Sequence, residues 1–140
     1  MILIDTNVVS EPLRATPNPQ VVSWLDAQPL DTLFLSVVTV AELRLGVARL
    51  PAGRRRNSLI EQLESQVLPA FIGRVLPFDM AATQAYAQAM AQAQAKGLSV
   101  GVADGFIAAI AASNHMSVAT RDTTPFIAMG LDVINPWQSE

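Results

Sequence analysis

The sequence predicts an α/β domain of three layers, a central, mostly parallel five-stranded sheet flanked by helices. Three observations carry that prediction. Short apolar runs recur that end on a polar residue, as Met1-Ile2-Leu3-Ile4 ends on Asp5 and Leu33-Phe34-Leu35 on Ser36. The first of them lacks apolar/polar alternation, the mark of a strand covered on both faces. Longer stretches of helical periodicity separate the runs, and strands alternating with helices favour parallel pairing through right-handed crossovers.

The elements follow in order. After the first strand, Val8 to Leu13 reads as a short helix broken by Thr16-Pro17-Asn18-Pro19. Gln20 to Ala27 is a second helix, with Val21, Val22, Trp24 and Leu25 on its apolar face and Pro29 beyond its end. Leu33 to Ser36 is a strand, and Val38 to Leu50 a helix in which Val40, Leu43, Val47 and Leu50 recur at helical spacing. Pro51-Ala52-Gly53 stops it; the next helix opens on Arg54-Arg55-Arg56 and runs to about Leu68. Arg74 to Phe78 is a short strand. Asp79 then caps a long Ala- and Gln-rich helix that reaches Lys96 and stops at Gly97. Val102 to Asn114 is a helix carrying Asp104 near its start, Ser117 to Thr120 a strand, Thr123-Thr124-Pro125 a turn, and Leu131 to Ile134 the last strand. If the first three strands are laid outward and the last two return on the other side of the first, the strand order reverses between the strands ending in Asp5 and near Asp122. Ligands of open α/β sheets bind at such a reversal, beyond the carboxyl ends of the strands.

At 140 residues the chain fits one domain, 1–140, able to bury a core without disulfides. It is 51% hydrophobic and 15% charged, far from the disordered class, and so apolar that a partner protein or a homodimer is expected to cover part of its surface. A net charge of −3 gives no global field for a polyanion, which must be met locally. There are no cysteines, which excludes disulfides, thiolate zinc sites and thiol nucleophiles. The N-terminus lacks the pattern of a signal peptide, and the apolar stretch Val100 to Ala112 is too short to span a bilayer and contains Asp104. A soluble, cytoplasmic protein with no membrane partner is the expectation.

Four acids stand out: Asp5, Glu42, Asp104 and Asp122. Each has a structural alternative. Asp5, or Asn7, can cap the helix that follows; Asp104 can cap a helix starting at Gly105; Asp122 can form a turn before Thr-Thr-Pro. A helical Glu is ordinarily paired with a base three or four residues away, but Val38, Thr39, Leu45 and Gly46 fill those places around Glu42, leaving only a distant partner such as Arg121. Around Asp104 the same places hold Val100, Gly101, Ile107 and Ala108. Taken jointly, two strand-end acids and two unpaired helical acids with access to one crevice suit a hard cation. Oxygen donors without His or Cys select Mg²⁺ or Mn²⁺ over zinc, and the matching chemistry is hydrolysis of phosphodiesters.

At these residues the chain resembles the PIN-domain ribonucleases, in particular the VapC-type toxins of bacterial toxin-antitoxin pairs, near the FitB-like branch. The resemblance runs through Ile4-Asp5-Thr6-Asn7, Ser36 to Glu42-Leu43, Asp104 ahead of Ile107-Ala108-Ala109, Ala119-Thr120-Arg121-Asp122 and Ile134-Asn135-Pro136-Trp137. It implies a PIN-like fold and a metal-dependent endoribonuclease that is the toxin of such a pair. Asp5, Glu42, Asp104 and Asp122 would be catalytic and hold Mg²⁺ or Mn²⁺, with Asn7 and Thr120 orienting ligands or water. A cognate antitoxin, an RNA substrate and a homodimer are the implied partners. Many relatives have an acid just before the residue matching Phe126, where this chain has Pro125, and many have Asn where it has Asp122.

The one basic cluster, Arg54-Arg55-Arg56, is either a solvated helix start or an RNA-backbone contact, and Arg44 and Arg49 can serve the same end. His115 follows a helix and reads as part of its C-terminal end; Trp24 and Trp137 read as core or interface anchors. Phosphotransfer domains that place an Asp at a strand end need a lysine nearby, and the only lysine is Lys96. The stronger rival is a non-catalytic interaction module of the same fold, binding a partner protein or RNA.

Overall fold

The computed structural model describes residues 1–138, so the last two residues of the expected 1–140 domain lie outside it. Five strands form one parallel sheet in the order β3-β2-β1-β4-β5: β1 Ile2–Ile4, β2 Leu33–Ser36, β3 Val75–Leu76, β4 Ser117–Ala119 and β5 Val133–Ile134. This is the order that follows if the first three strands run outward and the last two return on the other side of the first, with the reversal between β1 and β4.

Side chains alternate across these short strands and sort into two apolar clusters. Leu3 and Val118 point to one face, where Ile107, Ile110 and Ala111 of α7 (Val102–Ser113), Ala82 and Met90 of α6 (Met80–Ala95) and Phe126 of α8 (Thr123–Ala128) cover them. Ile4, Leu33, Leu35 and Ala119 point to the other. There Val8 and Val9 of α1 (Thr6–Val9), Val21 of α2 (Pro19–Ala27) and Leu43 of α3 (Val37–Ala48) close the layer, with Leu63 and Phe71 from the helical run after α3. Burial on both faces is why the strands carry no alternation of polarity. Trp24 and Trp137 pack against the second cluster as anchors.

Several ends follow from single side chains. Asn18 caps α2 ahead of Pro19, Ser36 caps α3 through the amide of Thr39, and Asp79 caps α6 through that of Ala82. His115 ends α7 in the left-handed region, φ 56°, and gives its amide to Ala112 O at 3.2 Å.

The structure departs from the sequence expectations in three places. The expected helix Val8 to Leu13 is instead α1 from Thr6 and a 3-10 turn, Glu11–Leu13, because Pro12 has no amide to continue the ladder. The helix from Arg54 is α4, Arg54–Gln62, prolonged by a π turn, Leu63–Val67, into α5, Leu68–Ala70. Thr123-Thr124-Pro125 opens the helix α8, since a proline in the first helical turn forfeits no bond. Among the described residues no helix is long and apolar enough to cross a membrane.

Candidate metal centre

Parallel register builds the site. Ile4 pairs with Ala119, and the Asp5 amide donates to Ala119 O at 2.9 Å, so the residues that follow β1 and β4 lie side by side at one sheet edge. Asp5 is only 5% exposed, beside the fully buried Thr120. The Thr6 amide donates to Asp5 Oδ1 at 2.8 Å, which makes Asp5 the cap of α1, and the Thr120 hydroxyl donates to Asp5 Oδ2 at 2.8 Å. Capping and membership of the acidic group thus coexist in one side chain.

Asn7 and Thr120 organise the rest of this edge. Thr120 Oγ1 accepts from the Asp122 amide at 3.1 Å and from Asn7 Nδ2 at 3.4 Å, while Asn7 Oδ1 accepts from the Arg121 amide at 3.2 Å. Asp122 sits at the start of α8 but its side chain makes no capping bond, which leaves the carboxylate free. Asp104 is the third residue of α7, whose cap position is Gly101, so capping does not account for it. Glu42 reaches in from α3, and its Oε1 accepts from the Thr6 hydroxyl at 2.6 Å. The alternative partner, Arg121, lies instead over the Trp137 ring, 5.2 Å from its centroid.

The four acids share one field. Burial pushes the Asp5 carboxyl up to about 6 against the pull of its bonds from Thr120 and Thr6, with Asp104 and Glu42 adding to the rise. Burial also raises Asp104, and the charges of Asp122 and Glu42 raise it further. Every one of the four therefore feels or exerts repulsion on another. Their side chains do not close on a single point: among the described residues no three acids form a ready-made cation cage. The donor set nevertheless fits a hard divalent ion, being carboxylate oxygen throughout with hydroxyl and amide support behind it. A cation would supply the counter-charge that the crowded acids lack.

A cleft of about 320 Å³ opens beside Thr6 and Glu42, with Leu13, Leu43, Val47, Leu50 and Leu59 as its apolar lining and Arg14 and Arg55 as its cations. A neighbouring hollow of about 580 Å³ is lined by Arg14, Arg54 and Arg55. Arg54 and Arg55 therefore face the groove. Arg56 does not join them: it is half-buried, and its Nε is enclosed without a hydrogen-bond partner among the described residues. Arg44 is taken up by Glu64, at 2.9 and 3.0 Å.

Sequence reasoning missed Thr6, whose amide and hydroxyl hold two of the acids at once. It also missed the pair of Glu11 and Arg14 at the groove. Adjacency to Asp5 and an i,i+3 spacing were the signals that could have found them.

The PIN domain family profile matches residues 2–130. The chain is 56% identical over 138 residues to the VapC ribonuclease Y4jK of Sinorhizobium fredii, covering 99% of each, and 53% identical over 137 residues to the toxin FitB of Neisseria gonorrhoeae, covering 98% and 99%. The crystal structure of FitAcB from Neisseria gonorrhoeae superposes with a TM-score of 0.96 at 52% identity, covering 99% of this chain and all of that one.

Proposed function

The chain belongs to the PIN-domain family, and from that premise we propose that it is an endoribonuclease, the toxin of a toxin-antitoxin pair, working through a divalent metal held by Asp5, Glu42, Asp104 and Asp122. The observation that carries this is the mutual field of the four acids around a buried, strand-end carboxylate raised to about 6. Such an arrangement is unfavourable to the fold by itself and favourable once a cation sits in it.

When bound, Mg²⁺ or Mn²⁺ supplies a Lewis acid for the scissile phosphate and an acidified water. The chain's own residues do the rest. Thr120 and Thr6 fix both oxygens of Asp5, and Thr6 fixes Glu42. Asn7, tied to the Arg121 amide, aligns the loop that carries Asp122. Arg54 and Arg55 give the RNA backbone a positive rim in a protein whose net charge is −3.

A cognate antitoxin belongs to this reading, because the closely similar toxin FitB occurs in a solved FitAcB structure. The homodimer belongs to it as well, as cover for the exposed Met80, Leu98, Val102 and Ile127 on the α6 to α8 side.

The test is to follow a labelled RNA pool with purified protein and Mn²⁺, comparing wild type with Asp5→Asn. Cleavage by the wild type that disappears in the folded variant and with chelator supports the reading. No metal-dependent cleavage by antitoxin-free wild type would leave the non-catalytic interaction module in its place.

A further inference from the structure

Besides Asp5, the one charged side chain buried among the described residues is Glu11, 3% exposed on the 3-10 turn after α1. A buried carboxylate is costly unless its lone pairs are filled. Here Arg14 Nη1 donates to Oε1 at 3.0 Å and lies 3.2 Å from Oε2, while the Asn18 amide donates to Oε2 at 2.9 Å. Arg14 itself is 61% exposed.

The pair therefore has its negative end inside and its positive end outside. A guanidinium carries five donors in a rigid plane. Only Nη1 of Arg14 is used; no hydrogen bond takes up Nε or Nη2 among the described residues. Pinned by one nitrogen, Arg14 lines both the cleft that reaches Thr6 and Glu42 and the hollow beyond it, so it stands where the two meet.

We propose that Arg14, fixed by the buried Glu11, binds a backbone phosphate of the RNA strand next to the one held at the acidic cluster. The inference rests on the ribonuclease function proposed above. A strand whose reacting phosphate lies at Asp5 and Glu42 has this cleft as its adjoining track. Two further arginines, Arg54 and Arg55, continue the same rim, and the apolar lining of Leu13, Val47 and Leu50 suits riboses and bases. Arginine rather than lysine suits the place because a planar fork, held at one nitrogen, still offers donors with fixed directions to a phosphate.

The test uses Arg14→Gln, which removes the charge but keeps an amide donor for Glu11, and Arg14→Lys, which keeps the charge without the fork. Both are made in the cleavage-deficient Asp104→Asn protein, and binding of a labelled single-stranded RNA that the wild type cuts is measured between 50 and 200 mM salt. Arg14→Gln should weaken binding about tenfold and lower the slope of log affinity against log salt by about one; Arg14→Lys should restore the slope but not the full affinity. In the otherwise wild-type enzyme the loss should reside in KM, whereas Asp104→Asn removes kcat. Unchanged affinity and slope in folded Arg14→Gln would overturn the proposal. So would unchanged RNA binding together with loss of a copurifying protein, which would assign Arg14 to a protein partner. If the wild type cuts no RNA, the ribonuclease function itself fails and this inference with it.

Discussion

Thr6 shows how much of this site depends on groups that carry no charge. Its hydroxyl meets Glu42 at 2.6 Å, a residue 36 positions away, while its amide meets Asp5 next door. Glu42 and Asp104 stood out in the sequence because no base lies at helical spacing from them, and Asp5 and Asp122 because they end strands; Thr6 did not, since a threonine after a strand has many local explanations and its partner is set by tertiary structure. Replacing Thr6 by Val should weaken Mn²⁺ binding by about tenfold or more, as loss of an outer hydrogen bond to a ligand does, while Thr6→Ser should retain most of it; calorimetry checks both. Asp5 makes a second prediction. Its carboxyl is raised from 3.8 to about 6 by burial, so the folded protein holds the proton more tightly than the unfolded chain. The stability this confers is present below pH about 4 and is lost as pH rises through about 6, a change of about 3 kcal/mol. In chelator, urea unfolding at pH 4.5 and 7.5 should show about 2 kcal/mol of this fall in the wild type and a flatter profile in Asp5→Asn, which keeps a capping oxygen for Thr6. An identical pH profile in the two proteins would remove the burial argument.

At the scale of elements, the acids are only as well placed as the helices that carry them. Asp104 reaches the site because α7 begins close against α6, and Gly105 is what permits it: a Cβ there would lie 2.8 Å from Met90 Cε and 2.9 Å from Tyr86 Cε2. Gly105→Ala should therefore destabilise the protein by about 1–3 kcal/mol and lower cleavage by displacing the start of α7, readable from denaturant midpoints alongside activity. Much of the element pattern was legible. Strand β2 and the caps at Asp79 and Ser36 follow from runs and residues with one local meaning. Pro125 misled because a proline reads alike in a turn and in a first helical turn, and the turn residues Thr123 and Thr124 tipped the choice. The π turn Leu63–Val67 had no local sign; it places Glu64 against Arg44, from a helix 20 residues earlier, and only the packed helices bring that pair together.

For the whole molecule, the strand order β3-β2-β1-β4-β5 explains why residues from both ends of the chain meet in one site. The reversal between β1 and β4 sets Asp5 beside Thr120 and brings the Asp122 loop to the same edge. Alternation of strands and helices made the parallel pairing legible and the order a natural supposition, and Arg54 and Arg55 stood out as a basic cluster, whereas the cleft and the place of Arg14 in it, which need the packing of α3, α4 and the turn after α1, were not legible. At a net charge of −3 the four acids add to a field unfavourable to RNA, which on the proposed function a divalent cation would reverse locally. Mg²⁺ at about a hundred times its dissociation constant should then stabilise the wild type by about 2.7 kcal/mol and leave Asp104→Asn almost unmoved. Whether the four acids together hold a cation is read by calorimetric titration of Mn²⁺ into antitoxin-free wild type and into folded Asp104→Asn. Saturable binding in the wild type should collapse in the variant; no binding by the wild type, or equal binding by both, would mean that the four acids hold no cation.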